Sequence, residues 1–144
     1  MIYTPLTKKA MRIAYAAHHG QRDKTGLPYI YHPIHLAEQM QDEATVCVAL
    51  LHDTVEDTDV TLGFLASEGF GGEILEAIAL MTHDDAVPYM DYVAALSSNP
   101  IARAVKMADL RHNSDLTRLD SVDNAAIKRA EKYAKALELL ENKN

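Results

Sequence analysis

The sequence predicts an all-α protein, a single-layered bundle of seven or eight helices that forms one domain over residues 1–144. Apolar residues recur at intervals of three and four along nearly the whole chain, which is the period of a helix buried on one side. No window alternates apolar and polar residues with the period of two that a strand requires. Typical helix starts, such as Thr4 before Pro5 and Asp123 before an apolar stripe, precede these periodic segments.

The first predicted helix begins after Thr4 and stops near Gly20. The segment that follows, "GQRDKTGLPYIYHP", is rich in turn-forming residues and is predicted to be an ordered loop. A helix predicted over residues 44–55 is apolar almost all round, so we expect it to lie at the centre of the bundle. The other helices are predicted over residues 32–40, 61–67, 73–81, 88–96, 100–112 and from 123 onward.

The composition is that of an ordinary globular protein with a net charge of −7. This charge argues against a general nucleic-acid binder and against an anionic-membrane binder, since both need a basic surface. No apolar stretch approaches the ~20 residues of a membrane span, and we expect no signal peptide, since Lys8 and Lys9 precede no long apolar region. The single cysteine, Cys47, is expected to be buried and inert. A cytoplasmic protein is the simplest expectation. The sequence does not indicate whether the protein is a monomer or an oligomer.

The stretch "LLHDTVEDT", residues 50–58, ends the predicted central helix with several groups that resist burial. His52 and Asp53 are adjacent there, on an otherwise apolar helix. Each could be satisfied alone by a backbone group or as a helix cap. Two adjacent ionisable groups on a core helix are nevertheless costly unless something compensates their charge. We therefore expect a functional reason for this pair.

Two further polar residues stand beside apolar segments. His32 ends the turn-rich loop, and Asp109 lies on the apolar helix predicted over residues 100–112. Together with His52 and Asp53 they would form a mixed nitrogen and oxygen site for one divalent metal. That ligand set suits Mn²⁺, Fe²⁺ or Zn²⁺ and does not need a thiolate.

Glu56 and Asp57 follow Asp53 by three and four positions, so they project from roughly the same face one turn later. Three carboxylates so close raise one another's pKa unless a cation intervenes. With a metal beside them, Glu56 and Asp57 could orient and deprotonate an attacking water. The alternative is a solvated helix end, for which acidic residues are common.

The remaining candidates surround this centre. Arg22 and Lys24 lie in the loop before His32, and these cations could hold a phosphate ester. Asn113 follows Asp109 by one helical turn, whereas Lys106 precedes it and could equally be a surface lysine. Tyr133 lies on the apolar stripe of the last helix. The segment His83-Asp84-Asp85 also contains a His-Asp pair, but its loop-like setting favours a capping or rim role.

Three motifs in the order "AHHGQRDKTGLPYIYHP", "LLHDTVEDT" and "VKMADLRHN" resemble the metal-dependent HD hydrolase domain of the RelA/SpoT homologues. The resemblance covers about residues 5–140. The short chain is similar to the stand-alone members of that family, the small alarmone hydrolases. The three motifs together are specific, whereas a lone His-Asp pair would be weak.

The resemblance implies an HD-type helical bundle that removes the 3′-pyrophosphate of guanosine tetra- and pentaphosphate (ppGpp and pppGpp), mostly with Mn²⁺. It makes a small-molecule nucleotide the expected partner. The residues that match the family's pattern are His32, His52, Asp53 and Asp109 as metal ligands, Glu56 and Asp57 as the acidic pair that serves the attacking water, and Lys24, Asn113 and Tyr133 as substrate contacts.

One position departs from the family pattern. The family usually has an arginine immediately before Lys24, where it packs on the guanine, and this chain has Asp23 there. Arg22, one place earlier, could take over that role. Otherwise the preferred nucleotide is altered, which keeps open a hydrolase for a different nucleotide or pyrophosphorylated metabolite. A module that senses a nucleotide without turnover is a third reading, although it would not need Glu56 and Asp57.

Overall fold

A computed structural model of the protein describes residues 1–142 and confirms the all-α prediction. Eight helices have six or more residues, one helix is a single turn, and no strand occurs among the described residues. A 3₁₀ turn, Leu116–Arg118, follows the eighth α-helix. The α-helices are α1 Pro5–Ala17, α2 Tyr31–Glu38, α3 Glu43–Leu51, α4 Thr54–Asp57, α5 Leu62–Ser67, α6 Gly72–Met81, α7 Tyr89–Leu96, α8 Pro100–Asn113 and α9 Asn124–Glu141.

Side-chain caps begin the helices where the sequence predicts them. The Thr4 hydroxyl accepts a hydrogen bond from the Thr7 amide at 3.1 Å, and the Asp123 carboxylate accepts one from the Ala126 amide at 2.8 Å. Each cap satisfies an amide that the first helical turn leaves without a partner. Thr61 caps α5 in the same way. Local sequence therefore determines where these helices start.

Helix α3 forms the centre of the bundle, as its apolar sequence predicts. Every residue from Thr45 to Leu51 is buried, and α1, α2, α6 and α8 pack around it. Burying Leu50 and Leu51 contributes about 1.5–3 kcal/mol each. Cys47 is fully buried, as expected. None of the described helices combines the length and apolar composition needed to cross a membrane.

The central helix ends four residues earlier than predicted, at Leu51, and α4 begins after a break at His52 and Asp53. The expectation of one helix over residues 44–55 is therefore wrong. Side-chain donors occupy the carbonyls at the break: the His52 imidazole bonds to the Ala49 carbonyl at 2.7 Å, and the Thr54 hydroxyl donates to the Leu51 carbonyl at 2.8 Å. These local bonds compete with the helical ladder.

The loop between α1 and α2 is ordered, as predicted. Gly20 supplies the positive φ of +86° that its first turn requires. The Tyr29 amide donates to the Gln21 carbonyl at 2.9 Å, and the Asp23 amide donates to the Leu27 carbonyl at 2.9 Å. These bonds join the two sides of the loop and hold it in an ordered conformation.

Candidate functional site

Four polar side chains from three parts of the fold converge beside the central helix. His32 comes from α2, His52 and Asp53 from the break after α3, and Asp109 from α8. The His32 Nε2 lies 2.9 Å from an Asp109 oxygen, and the His52 Nε2 lies 3.0 Å from an Asp53 oxygen. The two crosswise distances, His52 to Asp109 and His32 to Asp53, are 3.7 and 3.9 Å. The structure thus brings the four predicted metal-ligand candidates together.

The hydrogen bonds of His52 leave one ring nitrogen directed into this cluster. Its Nδ1 donates to the Ala49 carbonyl, which assigns the proton of a neutral ring to Nδ1. Its Nε2 is fully buried and has no hydrogen bond of good geometry among the described residues, although Asp53 is close by. In the neutral ring this nitrogen presents a buried lone pair without a partner, which is costly. A cation at the centre of the cluster would satisfy it.

The charges in the cluster also attract a cation. Burial disfavours the charged form of His52, but the carboxylates of Asp53 and Asp109 outweigh it and hold the pKa of His52 well above its ordinary value. Burial opposes the charge of Asp53 as well, yet His52 lowers the pKa of that carboxyl to about 2. Two carboxylates therefore stay ionised in an enclosed space, where Lys106 together with a proton or a metal ion balances their charge.

Asp109 is the most enclosed carboxylate of the cluster, with 5 % of its surface exposed. Its oxygens accept hydrogen bonds from the Lys106 ammonium and the Asn113 amide, both at 2.9 Å. Burial opposes ionisation, but Lys106 and the histidines hold the pKa of Asp109 well below its usual range. The reading of Lys106 as a surface lysine is wrong, because the ammonium is buried against Asp109 and over the Tyr92 ring.

Glu56 and Asp57 lie next to the cluster on α4. One carboxylate oxygen each of Asp53, Glu56 and Asp57 lies within 4.8 Å of the others. Glu56 accepts a hydrogen bond from the His83 amide at 2.6 Å, and His83 also lines the hollow over this acidic pair. Partial burial, followed by the charge of Asp53, raises the pKa of Asp57, and burial likewise raises that of Glu56. A raised pKa makes these carboxylates better proton acceptors.

The predicted substrate residues line a cleft of about 350 Å³ beside the cluster. A smaller hollow of about 220 Å³ lies directly over Asp53, Glu56 and Asp109. Tyr133 and Asn113 line both spaces, so the hollow and the cleft adjoin. The cations in the cleft wall are Arg22, Lys24, Arg118 and Arg129.

Asp23 is committed to the structure of its loop. One of its oxygens accepts hydrogen bonds from the Thr25 amide at 2.8 Å and the Leu27 amide at 3.1 Å. Its other oxygen lies 3.3 Å from the Arg118 guanidinium, and only 9 % of the side chain is exposed. Arg22 donates to the Gly26 carbonyl at 2.8 Å within the same loop. The carboxylate therefore organises the cleft mouth and is not free to read a base.

Several residues of the site were not predicted from the sequence. The Tyr29 hydroxyl donates a short hydrogen bond to Asp53, and its ring packs on the buried His18.

The His112 Nδ1 lies 2.7 Å from the His32 Nδ1. Burial, together with Arg118, lowers the pKa of His112 to about 4. Tyr29 and His112 lie within the motifs "GLPYIYHP" and "VKMADLRHN", but only the fold reveals whom they contact. No local sequence pattern marks the remaining site residues, which are Arg118, Arg129, Tyr89 and Tyr92.

The donor set fits a divalent metal. The four distances between an imidazole nitrogen and a carboxylate oxygen are 2.9–3.9 Å. One ligand atom each of His32, His52 and Asp109 lies within 4.8 Å of the others. Ligands that hold a metal at about 2.1 Å lie roughly 3.0–3.4 Å apart, so small adjustments suffice. The described residues thus support binding of a divalent metal, with no cysteine involved, since Cys47 lies in the core.

The chain is similar to several known proteins. The HD domain family matches residues 10–112 of the chain. The Homo sapiens protein named guanosine-3′,5′-bis(diphosphate) 3′-pyrophosphohydrolase MESH1 is 37% identical over 124 residues, which cover 76% of this chain and 69% of that protein. The Aquifex aeolicus guanosine-3′,5′-bis(diphosphate) 3′-pyrophosphohydrolase is 33% identical, over 89% of this chain and 19% of that protein.

A longer relative and a solved structure extend the comparison. The GTP pyrophosphokinase of Streptomyces coelicolor is 34% identical over 93% of this chain, which spans 16% of that protein. The chain therefore covers under a fifth of these longer relatives. A solved structure described as a metazoan ortholog of SpoT that hydrolyzes ppGpp matches with a TM-score of 0.76. It is 23% identical over 100% of this chain and 90% of that one, so the likeness concerns the fold.

Proposed function

Because the chain belongs to the HD domain family, we propose that it is a metal-dependent nucleotide pyrophosphohydrolase that removes the 3′-pyrophosphate of ppGpp and pppGpp. The observation that carries this proposal is the convergence of His32, His52, Asp53 and Asp109 beside a cation-lined cleft. The names of the human and Aquifex relatives support the choice of substrate.

His32, His52, Asp53 and Asp109 would hold the metal. We propose Mn²⁺, and the same donors also accept Fe²⁺ or Zn²⁺. Such an ion, when bound, lowers the pKa of water and withdraws charge from phosphoryl oxygens. Tyr29 and Asn113 orient two of the ligands, since they donate to Asp53 and Asp109 respectively.

Glu56 and Asp57 would serve the attacking water. Their carboxylates lie beside Asp53 and face the hollow, where a water could bridge them and the substrate. The water oxygen forms a bond to the phosphorus next to the ribose and gives a proton to this acidic pair. The bond from that phosphorus to the 3′ oxygen breaks, and the 3′ oxygen takes up a proton. The products are pyrophosphate and GDP from ppGpp, or GTP from pppGpp.

The cleft would position the nucleotide. Lys24, Asn113 and Tyr133 line it, and their ammonium, amide and phenol groups suit phosphate oxygens. Arg22 lies in the same wall, although its bond to Gly26 keeps it within the loop. Positioning and charge stabilisation supply much of the rate in phosphoryl transfer.

A second candidate keeps the metal site and changes the substrate. Its supporting observation is Asp23, whose carboxylate is occupied where the family usually has an arginine against the guanine. A different nucleotide, or another pyrophosphorylated metabolite, would then occupy the cleft. A binding module without turnover is disfavoured, because it has no use for Glu56 and Asp57 beside the metal ligands.

The test is product analysis with the purified protein. We expect Mn²⁺-dependent release of pyrophosphate and GDP from ppGpp, abolished by a chelator and by Asp53→Ala, which removes a ligand. A panel of ppGpp, the adenine analogue, GTP and GDP separates the candidates. Preferential turnover of another panel member would select the second candidate. Tight ppGpp binding without turnover in Mn²⁺ would select the binding module instead.

A further inference from the structure

A second histidine lies directly behind the metal-ligand candidate His32. The Nδ1 atoms of His32 and His112 are 2.7 Å apart, and the two rings are within 12° of parallel with centroids 5.0 Å apart. The centroid separation exceeds the nitrogen separation by about one ring width. The rings therefore meet edge to edge through a hydrogen bond and do not stack face to face.

This hydrogen bond determines which nitrogen of His32 carries a proton. An Nδ1-to-Nδ1 bond needs one donor and one acceptor. The His32 Nε2 points toward Asp109 and must keep its lone pair to bind a metal, so the His32 Nδ1 must be the donor. His112 must then be the acceptor and remain neutral. Arg118 favours this state, because its cation lies against His112 and donates to the His112 carbonyl at 2.9 Å.

The surroundings of His112 hold it in place. It lies at the end of α8, one turn after Asp109, and the His35 ring packs on its other side with centroids 4.2 Å apart. His52 is the other imidazole of the cluster, and its Nδ1 proton is accepted by a backbone carbonyl and not by a side chain. The two imidazoles are thus oriented by different acceptors, and only the one behind His32 can be changed by mutating a side chain.

We propose that His112 is a positioning residue that accepts the Nδ1 proton of His32, directs the His32 Nε2 into the cluster and thereby strengthens binding of the divalent metal. The inference rests on the metal site of the proposed function. Outer partners of metal-ligating histidines typically change metal affinity by about 10–100-fold. His112 is expected to act through that affinity without touching substrate.

The test compares two substitutions. His112→Phe keeps a ring but removes the acceptor, whereas His112→Asn can place its amide oxygen near the position of Nδ1. We expect His112→Phe to weaken Mn²⁺ binding about 10–100-fold by calorimetry, and His112→Asn to weaken it far less. His35→Phe is the matched control, because it retains ring packing and lies outside the hydrogen bond; its affinity should stay that of the parent.

A spectroscopic readout separates orientation from packing. In the protein loaded with diamagnetic Zn²⁺, the His32 Nδ1 proton should give a slowly exchanging, downfield signal in the parent and in His112→Asn, and none in His112→Phe. Equal Mn²⁺ affinity of His112→Phe and parent would overturn the inference, as would equal losses in the Phe and Asn variants. If the parent binds neither Mn²⁺ nor Zn²⁺, the proposed function fails together with this inference.

Discussion

Asp23 and Arg118 form an ion pair at 3.3 Å that joins the loop after α1 to the 3₁₀ turn after α8, across the mouth of the cleft. Arg118 also donates to the His112 carbonyl, so it ties the loop to the end of α8. Asp23 also accepts hydrogen bonds from the backbone amides of Thr25 and Leu27. The carboxylate at this position thus has a structural task that an arginine could not perform.

Asp23→Arg is therefore expected to lower activity, even though it introduces the residue usual in the family. The new cation would lie against Arg118 and leave the Thr25 and Leu27 amides without their acceptor. We expect KM for the nucleotide to rise several-fold and the free energy of unfolding to fall by about 1–3 kcal/mol, measured by steady-state kinetics and thermal unfolding. Asp120→Arg, at an exposed carboxylate, is the control. A gain in ppGpp turnover by Asp23→Arg would contradict the structural role.

Glu56→Gln is expected to remove proton transfer while the metal stays bound. The amide retains the size of Glu56 and can still accept from the His83 amide, but it cannot take a proton. We expect kcat to fall by about 10²–10⁴-fold with unchanged metal content by elemental analysis. Asp59→Asn, an exposed neighbour beyond α4, should leave kcat unaltered. Loss of metal from Glu56→Gln would instead make Glu56 a ligand.

Lys106→Met is expected to make folding depend more strongly on metal. The substitution leaves the buried Asp109 carboxylate without its ammonium partner, and breaking such a pair typically costs about 3–5 kcal/mol. A bound divalent metal would offset part of that cost. The rise in Tm on adding Mn²⁺ should therefore be larger in Lys106→Met than in the parent, whereas the exposed Lys128→Met should match the parent. Equal rises in all three proteins would show that Lys106 does not balance Asp109.

The stability of the metal-free protein is expected to depend on pH in two directions. The raised pKa of His52 contributes stability below its ordinary value of 6.5, and that contribution is lost as pH rises through the folded-state pKa. The lowered pKa of Asp53 contributes stability above its ordinary value of 3.8, and that contribution is lost as pH falls toward about 2. Thermal unfolding in a chelator should therefore show the greatest stability between pH 3.8 and 6.5, where both contributions are present in full.

Metal binding near neutral pH is expected to release about one proton, because a ligating imidazole must be neutral and His52 holds its proton in the metal-free cluster. Calorimetric titration with Mn²⁺ in two buffers of different ionisation enthalpy measures this number. If almost no protons are released at a pH well below the raised pKa, His52 is neutral before the metal binds.

Much of the fold was predictable because helices are specified locally. The caps at Thr4, Thr61 and Asp123 and the apolar pattern of α3 act within a few residues, so sequence reasoning placed them correctly. The break at His52 was missed, because it depends on side-chain bonds to carbonyls that compete with a helix of almost equal local preference.

The sequence by itself determined the residue types of the candidate site and the acidic pair beside it, because those residues lie in short motifs. Only the tertiary structure decided how they are arranged. It set His112 behind His32 across 80 positions and Arg118 against Asp23 across 95. The physical reason is that a contact between distant segments depends on how α2, α3 and α8 pack, and packing is decided by the shape of the whole core.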